Sequence, residues 1–431
     1  MSEWKEYKLG EIGVIARGKS KHRPRDAAHL YGGNYPFIQT GDVKAANHKL
    51  GSYNQSYSEA GLLQSKLWPI GTICITIAAN IADTAILSFP ACFPDSVIGF
   101  IPNKNICNVD FIEYLLQYYR LQIRTHSIGS VQDNINLGTF EKIKFRIPDL
   151  PTQTTIAEIL SSLDDKIELN SQINKYLEIL AQTLFKQWFI DFEFPNDNGE
   201  PYCSTGGEMV DSELGEIPKG WKVGVLEDVI AFSNGYAFNS RELLDKDKGG
   251  CFHVFKMGHI KKGGGLNANG TKSYFERSKT DKIQKYILKV GDLLMCMTDM
   301  KGNVALLGHT ALMNENDKYI VNQRVGLLRP NNDICIDYPY LYILTNSNNF
   351  IEDLRSRANS GVQVNLSTSE IKNSKIVIPP KEINLAFDIV VKSFFNDIFN
   401  ITKENDELIK LRDTLLPKLI SGELEVSDAL I

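Results

Sequence analysis

WKEYKLGEIGVIARG, from Trp4, returns as WKVGVLEDVIAFSNG, from Trp221, an offset of 221 − 4 = 217. The same offset joins FIQTGDV from Phe37 to VFKMGHI from Val254. Further on, LWPIGTICITIA answers ILKVGDLLMCMT with Gly71 on Gly291, 220 apart. VIGFIP answers VGLLRP with Gly99 on Gly326, and Asp110 falls on Asp337, both 227 apart. SVQDNI at Ser130 answers GVQVNL at Gly361, and IPDLP at Ile147 answers IPPKE at Ile378, both 231 apart. The offset only grows, in small steps at Gly- or Asn-rich places, as insertions in surface loops produce. A repeat of this length is a duplicated domain and not a solenoid.

Each copy opens with a globular part. Short apolar, β-branched runs (ICITIA, VIGFIP and FRIP; LLMCM, VGLLRP and KIVIP) alternate with Gly, Asn and Pro, as strands and turns do. One helix is expected late in each, with Asp110 and Asp337 as N-caps. The mixture reads as α+β.

Each copy then continues into a long amphipathic helix. From Pro151 the apolar stripe runs through Ile159, Leu163, Ile167, Ile173, Leu177, Leu180, Leu184 and Trp188. The second copy places Phe394, Ile398, Ile401, Leu408, Leu411, Leu415 and Leu419 similarly. A helix of about 40 residues is roughly 60 Å long, more than one small domain covers. The other copy is the partner that can bury its stripe, as an imperfect coiled coil. The first helix delivers the chain to the second globular part, so the second helix must run back for the stripes to meet. The pair is therefore expected to be antiparallel, with one α/β globular domain at each end and a pseudo-twofold axis across the middle. Leu163, Ile167, Leu177, Leu180, Leu184, Ile398, Leu408, Leu411 and Leu415 are expected to pack it. The expected boundaries are 1–150 for the first globular domain, 151–190 for the central helix and 191–220 for a turn-rich linker. The second domain follows at 221–380, then the C-terminal helix at 381–422 and a tail at 423–431.

Composition narrows the function. The 431 residues are 43% apolar and 23% charged, the range of a folded protein. The N-terminus lacks a basic-then-apolar signal, and the most apolar stretch, 67–93, is broken by Pro69, Asn80, Asp83 and Pro90. A cytoplasmic chain without a membrane span is expected. Seven cysteines without a CxxC pair suggest neither a disulfide framework nor a structural zinc. No NPPY or DPPY loop, GxSxG elbow or HExxH occurs. GLNANGTKS at 265–273 places one residue too many before its lysine for a phosphate loop and reads as a hairpin. Asp164–Asp165, within an amphipathic helix, reads as a solvated face. No catalytic or metal-ligating residue is expected, so the chain binds and does not react.

Two similar domains at fixed separation suit two half-sites on one extended ligand, and duplex DNA is the natural one. ARGKSKHRPR supplies Arg17, Lys19, Lys21, Arg23 and Arg25. The equivalent loop of the second copy carries Asn234, Tyr236, Asn239 and Arg241, followed by Lys256, Lys261 and Lys262. Arg and Lys reach phosphates or guanine edges, and Asn and Gln pair with adenine. Gln132, Asn134 and Asn136, answered by Gln363 and Asn365, are polar residues in matching places, as base readers or as turn formers. The formal net charge of −5 counts against a self-sufficient DNA binder unless charge is local or partners supply phosphate contacts. A non-catalytic scaffold bridging two protein partners is the alternative.

The duplicated layout, the TGDV turn, the VQxN segments before IP and LRDTLLPKLISGEL near the C-terminus resemble the specificity (S) subunit of type I restriction–modification enzymes. The resemblance covers the whole chain. It departs at Lys186, where LAQTLFKQWF lacks the terminal motif's proline, and at MGHI in place of the second TGDV. It implies a DNA-binding subunit without catalytic activity, whose two target-recognition domains each read half of a bipartite sequence. The helices would set the spacer and dock two modification subunits, which methylate adenine. Restriction subunits would join for translocation and cleavage. S-adenosylmethionine, ATP and Mg would then belong to those partners, with no cofactor in this chain.

Overall fold

The repeat builds the same elements twice in the computed structural model, which describes residues 4–78, 81–125, 136–280, 283–300, 304–331, 336–360 and 363–426. The chain divides into two compact units, residues 1–171 with 402–431, and residues 172–401. The two division points, 172 and 402, lie 230 apart, close to the offset of 231 seen late in the repeat.

In the first unit Lys5–Tyr7 pairs antiparallel with Phe145–Ile147 and joins the two ends of the globular part. The main sheet has the order Gly13–Arg17, Val97–Pro102, Ile73–Thr76, Thr84–Leu87, Lys49–Leu50. A second sheet carries Gln55–Tyr57, Tyr31–Phe37, Ala91–Cys92 and Leu67–Trp68. The second unit repeats this plan. Lys222–Val225 pairs with Lys375–Ile378, and its main sheet runs Ile230–Asn234, Val325–Pro330, Leu293–Cys296, Thr310–Leu312. Its smaller sheet holds Tyr274–Glu276, Cys251–Phe255 and Tyr319–Val321. The fully buried runs ICIT and LLMC are central strands in both, so neither shows a polar face.

Strand register corrects one equivalence. Ala16 faces Gly99 and Ser233 faces Leu327. Since 16 and 233 correspond at the offset of 217, Gly99 corresponds to Leu327 and not to Gly326. A Cβ on Gly99 would stand 2.6 Å from Trp68, and one on Gly326 would stand 2.8 Å from Phe232. Each glycine makes room for an aromatic ring, but one residue of slip puts them on opposite faces. The late helix of the first unit, Val109–Tyr118, is capped by Asn108 and not by Asp110, whereas Asp337 does cap Tyr338–Asn346.

The two long helices are Leu150–Phe189 and Lys381–Ser421. Within the first unit Asp164 meets Arg412 and Asn170 meets Asn405, so numbers rise on one helix as they fall on the other. Within the second unit Phe189, the last residue of the first helix, packs at 4.8 Å against Phe387, near the start of the second. Each unit therefore contains an antiparallel helix pair.

The face that packs differs from the one drawn from hydrophobicity. Leu180 is 53% exposed and Leu411 47% exposed, and Ile173 is also exposed. Ile167 and Ile398 are buried, while Leu163, Leu177, Leu184, Leu408 and Leu415 are half-buried at the flank. In the first helix the buried residues include Ile156, Leu160, Asp164, Ile167, Asn170, Ala181, Phe185 and Trp188. Within 156–170 and 181–188 they follow the same steps of three and four, and Asp164 and Ala181 stand one residue out of phase with Leu163 and Leu180. Polar residues occupy that inner line at 164 and 170, so an apolar count selects the neighbouring line. Asp164 is consequently buried, not solvated.

The polar inner residues of the first unit belong to a connected network. His48 is buried, with Nδ1 2.6 Å from Glu113 and Nε2 3.0 Å from Asp110, and its ring stacks on Tyr114. Burial alone would lower the His48 pKa, but the hydrogen bonds to Asp110 and Glu113 outweigh it and push it up to about 9. His48 is then an imidazolium donating to both carboxylates at neutral pH.

The linker is folded as well. Phe194, Ile217 and Trp221 enter the second unit's core, and Met209–Val210 pairs with Ile217–Pro218. Turn residues mark the segment, but its aromatic residues give it a place to pack.

This packing sets the expected cost of substitutions. Leu180→Asp or Leu411→Asp is expected to change unfolding free energy by less than about 1 kcal/mol, as at an exposed site. Leu160→Ala, at a fully buried site, is expected to cost about 2–5 kcal/mol in denaturant titration. His48 raised above its unfolded value of about 6.5 contributes fully below that pH and loses the contribution as pH rises through about 9. The thermal midpoint of the wild type should therefore drop on passing from neutral pH to above pH 9 more steeply than that of His48→Gln.

Candidate nucleic-acid interface

In the first unit the strand Gly13–Arg17 ends on Arg17, and Gly18 turns the chain at close quarters. Gly18 N donates to Val97 O at 2.8 Å, and a Cβ there would stand 2.3 Å from Pro94 O. The second unit repeats this geometry 217 residues on. Asn234 ends Ile230–Asn234, Gly235 N donates to Val325 O at 3.0 Å, and a Cβ on Gly235 would stand 2.2 Å from Asn322 O. Only glycine lets the strand end approach its neighbour so closely. One built corner thus presents Arg17 in one unit and Asn234 in the other.

The basic loop after Arg17 is ordered by its own hydrogen bonds. Gln64 Oε1 accepts from the backbone N–H of Lys21 at 2.5 Å and of His22 at 3.0 Å. Arg23 donates to the carbonyls of Ser20 and His22, and Arg25 pairs with Asp95 at 2.8 Å. Those two guanidiniums shape the loop. Arg17, Lys19 and Lys21 form no ion pair among the described residues, and their charges are the ones available to a phosphate. Ser20 and Arg25 line a cleft of about 180 Å³ together with Thr40, which opens the TGDV turn, and Gln39 just before it. Residue type does not single out Gln39 and Thr40, although the turn's recurrence marks the place.

The second-unit candidates fall into separate groups. Asn234 Oδ1 accepts from Thr368 Oγ1 at 3.2 Å, three residues beyond Asn365. The strand Gln363–Asn365 pairs with Thr298–Met300, which continues from the main sheet, so Asn234 and Asn365 share one end of the unit. Tyr236 is half-buried, its ring 5.0 Å from Phe238 and 5.6 Å from Tyr286, and belongs to a small core. Asn239 spends its side-chain oxygen on the N–H of Arg241 as a helix cap, leaving Arg241 exposed. Lys256 is half-buried after its strand. Lys261 and Lys262 are exposed on a turn that lies against Asn346, where Lys261 acts electrostatically on Glu178 of the first long helix. The GLNANGTKS segment is a turn bridged at Ile260 and Leu266. Gln132 and Asn134 lie outside the described residues. Asn136 and its counterpart Ser367 are N-caps of Leu137–Lys142 and Thr368–Lys372, the turn-forming role.

Two buried histidines, His253 and His259, touch through Nε2 at 3.3 Å. Burial, the neighbouring His259 and Lys318 push the His253 pKa down to about 4, so both rings are neutral and structural. Among the described residues no three His, Cys, Asp or Glu side chains group to hold a metal, and no helix is long and apolar enough to cross a membrane.

The acidic total has a local origin. Residues 191–220 carry eight carboxylates and one lysine, a net charge of −7, so the rest of the chain carries −5 + 7 = +2. The units bearing the candidate contacts are mildly basic once that segment is set aside.

Residues 1–179 and 218–411 match the family model described as the type I restriction modification DNA specificity domain. The chain is 27% identical to the type I restriction enzyme MjaIX specificity subunit of Methanocaldococcus jannaschii, covering 99% of this chain and 94% of that protein. It is 27% identical to the HindI specificity subunit of Haemophilus influenzae, covering 98% and 100%. The S subunit of a type I restriction–modification system from M. genitalium has the same fold, with a TM-score of 0.59 at 15% identity over 97% of this chain and 96% of that one. The duplicated corners, the paired long helices and the matched family model converge on one assignment: the chain belongs to the family of type I restriction–modification specificity subunits.

Proposed function

We propose that this specificity subunit reads a bipartite duplex target, the first unit contacting one half-site and the second the other. The observation that carries the reading is the repeated corner at Gly18 and Gly235, which offers Arg17 and Asn234 from the same place in two folds. The same backbone geometry with different side-chain chemistry suits two half-sites of different sequence. In the first unit Arg17, Lys19 and Lys21 meet phosphates or guanine edges, with Gln39 and Thr40 beside them. In the second, Asn234, Gln363 and Asn365 meet base edges, and Arg241, Lys256, Lys261 and Lys262 supply charge. Gln132 and Asn134 take the place of Gln363 and Asn365 in the first half.

The long helices set the spacing at which the two half-sites are read. Two modification subunits dock on the helices, and Ile173, Tyr176 and Leu180, exposed at steps of three and four in the second unit, offer one apolar stripe for such docking. S-adenosylmethionine, ATP and Mg are the partners' cofactors, restriction subunits complete the assembly, and the complex works in the cytoplasm. The exposed stripe also fits a scaffold that joins two proteins without reading DNA, and the two readings separate in a binding assay.

In a gel shift with the reconstituted subunit and modification subunits, a preferred duplex should outcompete random duplex, which a scaffold would not achieve. Lys19→Ala and Lys21→Ala together should weaken binding to all sequences and reduce the salt slope by about 0.9 for each phosphate left unneutralised. Asn234→Ala should instead relax preference in one half-site by about 1–3 kcal/mol.

A further inference from the structure

Asp164 is the most completely engaged buried charge on the helix pair of the first unit. Its Oδ1 accepts from Arg412 Nη1 at 2.7 Å and from Asn47 Nδ2 at 2.7 Å, and its Oδ2 accepts from the Tyr114 hydroxyl at 2.7 Å. Arg412 Nη1 also donates to Asn47 Oδ1 at 2.8 Å, and Nη2 to Asp413 at 2.8 Å. Asn47 follows the TGDV turn and Tyr114 lies on Val109–Tyr118, so two parts of the recognition domain and both long helices converge on one carboxylate. Lys49, two residues from Asn47, adds an ion pair to Asp165 at 3.2 Å.

The second unit fills the equivalent positions without charge, and its ion pair between helix and domain, Lys392 with Asp337, lies elsewhere and is part-exposed. At the late offset of 231, position 164 becomes Phe395 and position 412 comes from Ala181 (412 − 231). Both are buried in the apolar core of that unit, and Tyr342 stands edge-on to Phe395 at 5.6 Å. Apolar contacts are non-directional and tolerate small sliding and rocking. A carboxylate holding three donors does not. One residue of slip moves it about 1.5 Å along the axis and about 100° around it, leaving a buried charge unpaired.

We infer that Asp164 and Arg412, with Asn47 and Tyr114, are positioning residues that lock the first recognition domain onto the helix pair in one register. They thereby fix the spacing between half-sites to a single value. An internal duplication makes such a lock useful, because like halves of the two helices offer similar apolar lines and an unlocked pair has more than one way to mesh. The buried charge is a device for uniqueness and not for stability, since apolar replacement of a buried pair is often neutral or stabilising. This rests on the reading that the helices set the spacer.

The test uses the full chain assembled with its modification subunits, methylating a library of duplexes whose spacer is the native length or one base pair shorter or longer. The wild type should methylate the native spacer far above its neighbours. Asp164→Leu with Arg412→Leu, which copies the apolar solution of the second unit, should keep the native thermal midpoint or exceed it. It should lose about tenfold or more of the spacer discrimination, the equivalent of one charged hydrogen bond. Tyr114→Phe, which removes one hydroxyl and no packing, should show a smaller loss in the same direction and serves if the double variant does not assemble. Unchanged discrimination in the assembling variants overturns the inference while leaving the bipartite reading intact. A wild-type complex with no spacer preference overturns the reading beneath it.

Discussion

A helix of 40 residues cannot bury its apolar line against one small domain, and every larger feature of this chain answers that constraint. The first long helix, Leu150–Phe189, finds its cover in the second, Lys381–Ser421, and the two are opposed within each unit. Duplication supplies the partner. The division of the chain at 171/172 and 401/402 cuts both helices near their midpoints, so each unit contains a recognition domain and half of each rod. A recognition domain and its stretch of rod therefore form one core, as Leu419 and Ile420 beside Ile156 and Leu160 in the first unit illustrate.

The two cores use different physics. The first unit joins domain to rod through Asp164, Arg412, Tyr114 and the His48 network, where direction and protonation both matter. The second relies mainly on Phe185, Phe189, Tyr340, Phe387 and Phe395, with one part-exposed ion pair, Lys392 to Asp337, at the flank. The acidic segment 191–220 follows the first rod and folds onto the aromatic core through Phe194 and Ile217. It carries the chain's negative excess and leaves the corners at Gly18 and Gly235 in a mildly basic remainder.

Much of this architecture is legible in the amino-acid sequence. The repeat yields the domain plan because Trp4 and Trp221 each precede the strand that closes its globular part, and Gly18 and Gly235 stand in equivalent corners. Helix direction follows from chain connectivity. Features decided by partners distant in sequence are not legible in the same way. Leu180 and Leu411 look like core residues because hydrophobicity marks them, yet the inner line passes through Asp164 and Asn170, whose polar groups are paired. Gly99 and Gly326 align as letters and face opposite sides of their sheets, because register is set by hydrogen bonding and not by identity. Arg23 and Arg25 read as DNA ligands by type, but their guanidiniums are bound by Ser20, His22 and Asp95. Gln39 and Thr40 bear no such mark, because their significance lies in the cleft they share with the basic loop.

On the proposed reading, the long helices set the spacing between the two half-sites. Matched insertions of four residues in both long helices lengthen each by about 6 Å, close to two base pairs at about 3.4 Å each. Mapping the methylated adenines made by the assembled complex reads the result directly. Helix-set spacing predicts the same two half-sites with a longer spacer; the same half-sites at the original spacing would contradict it.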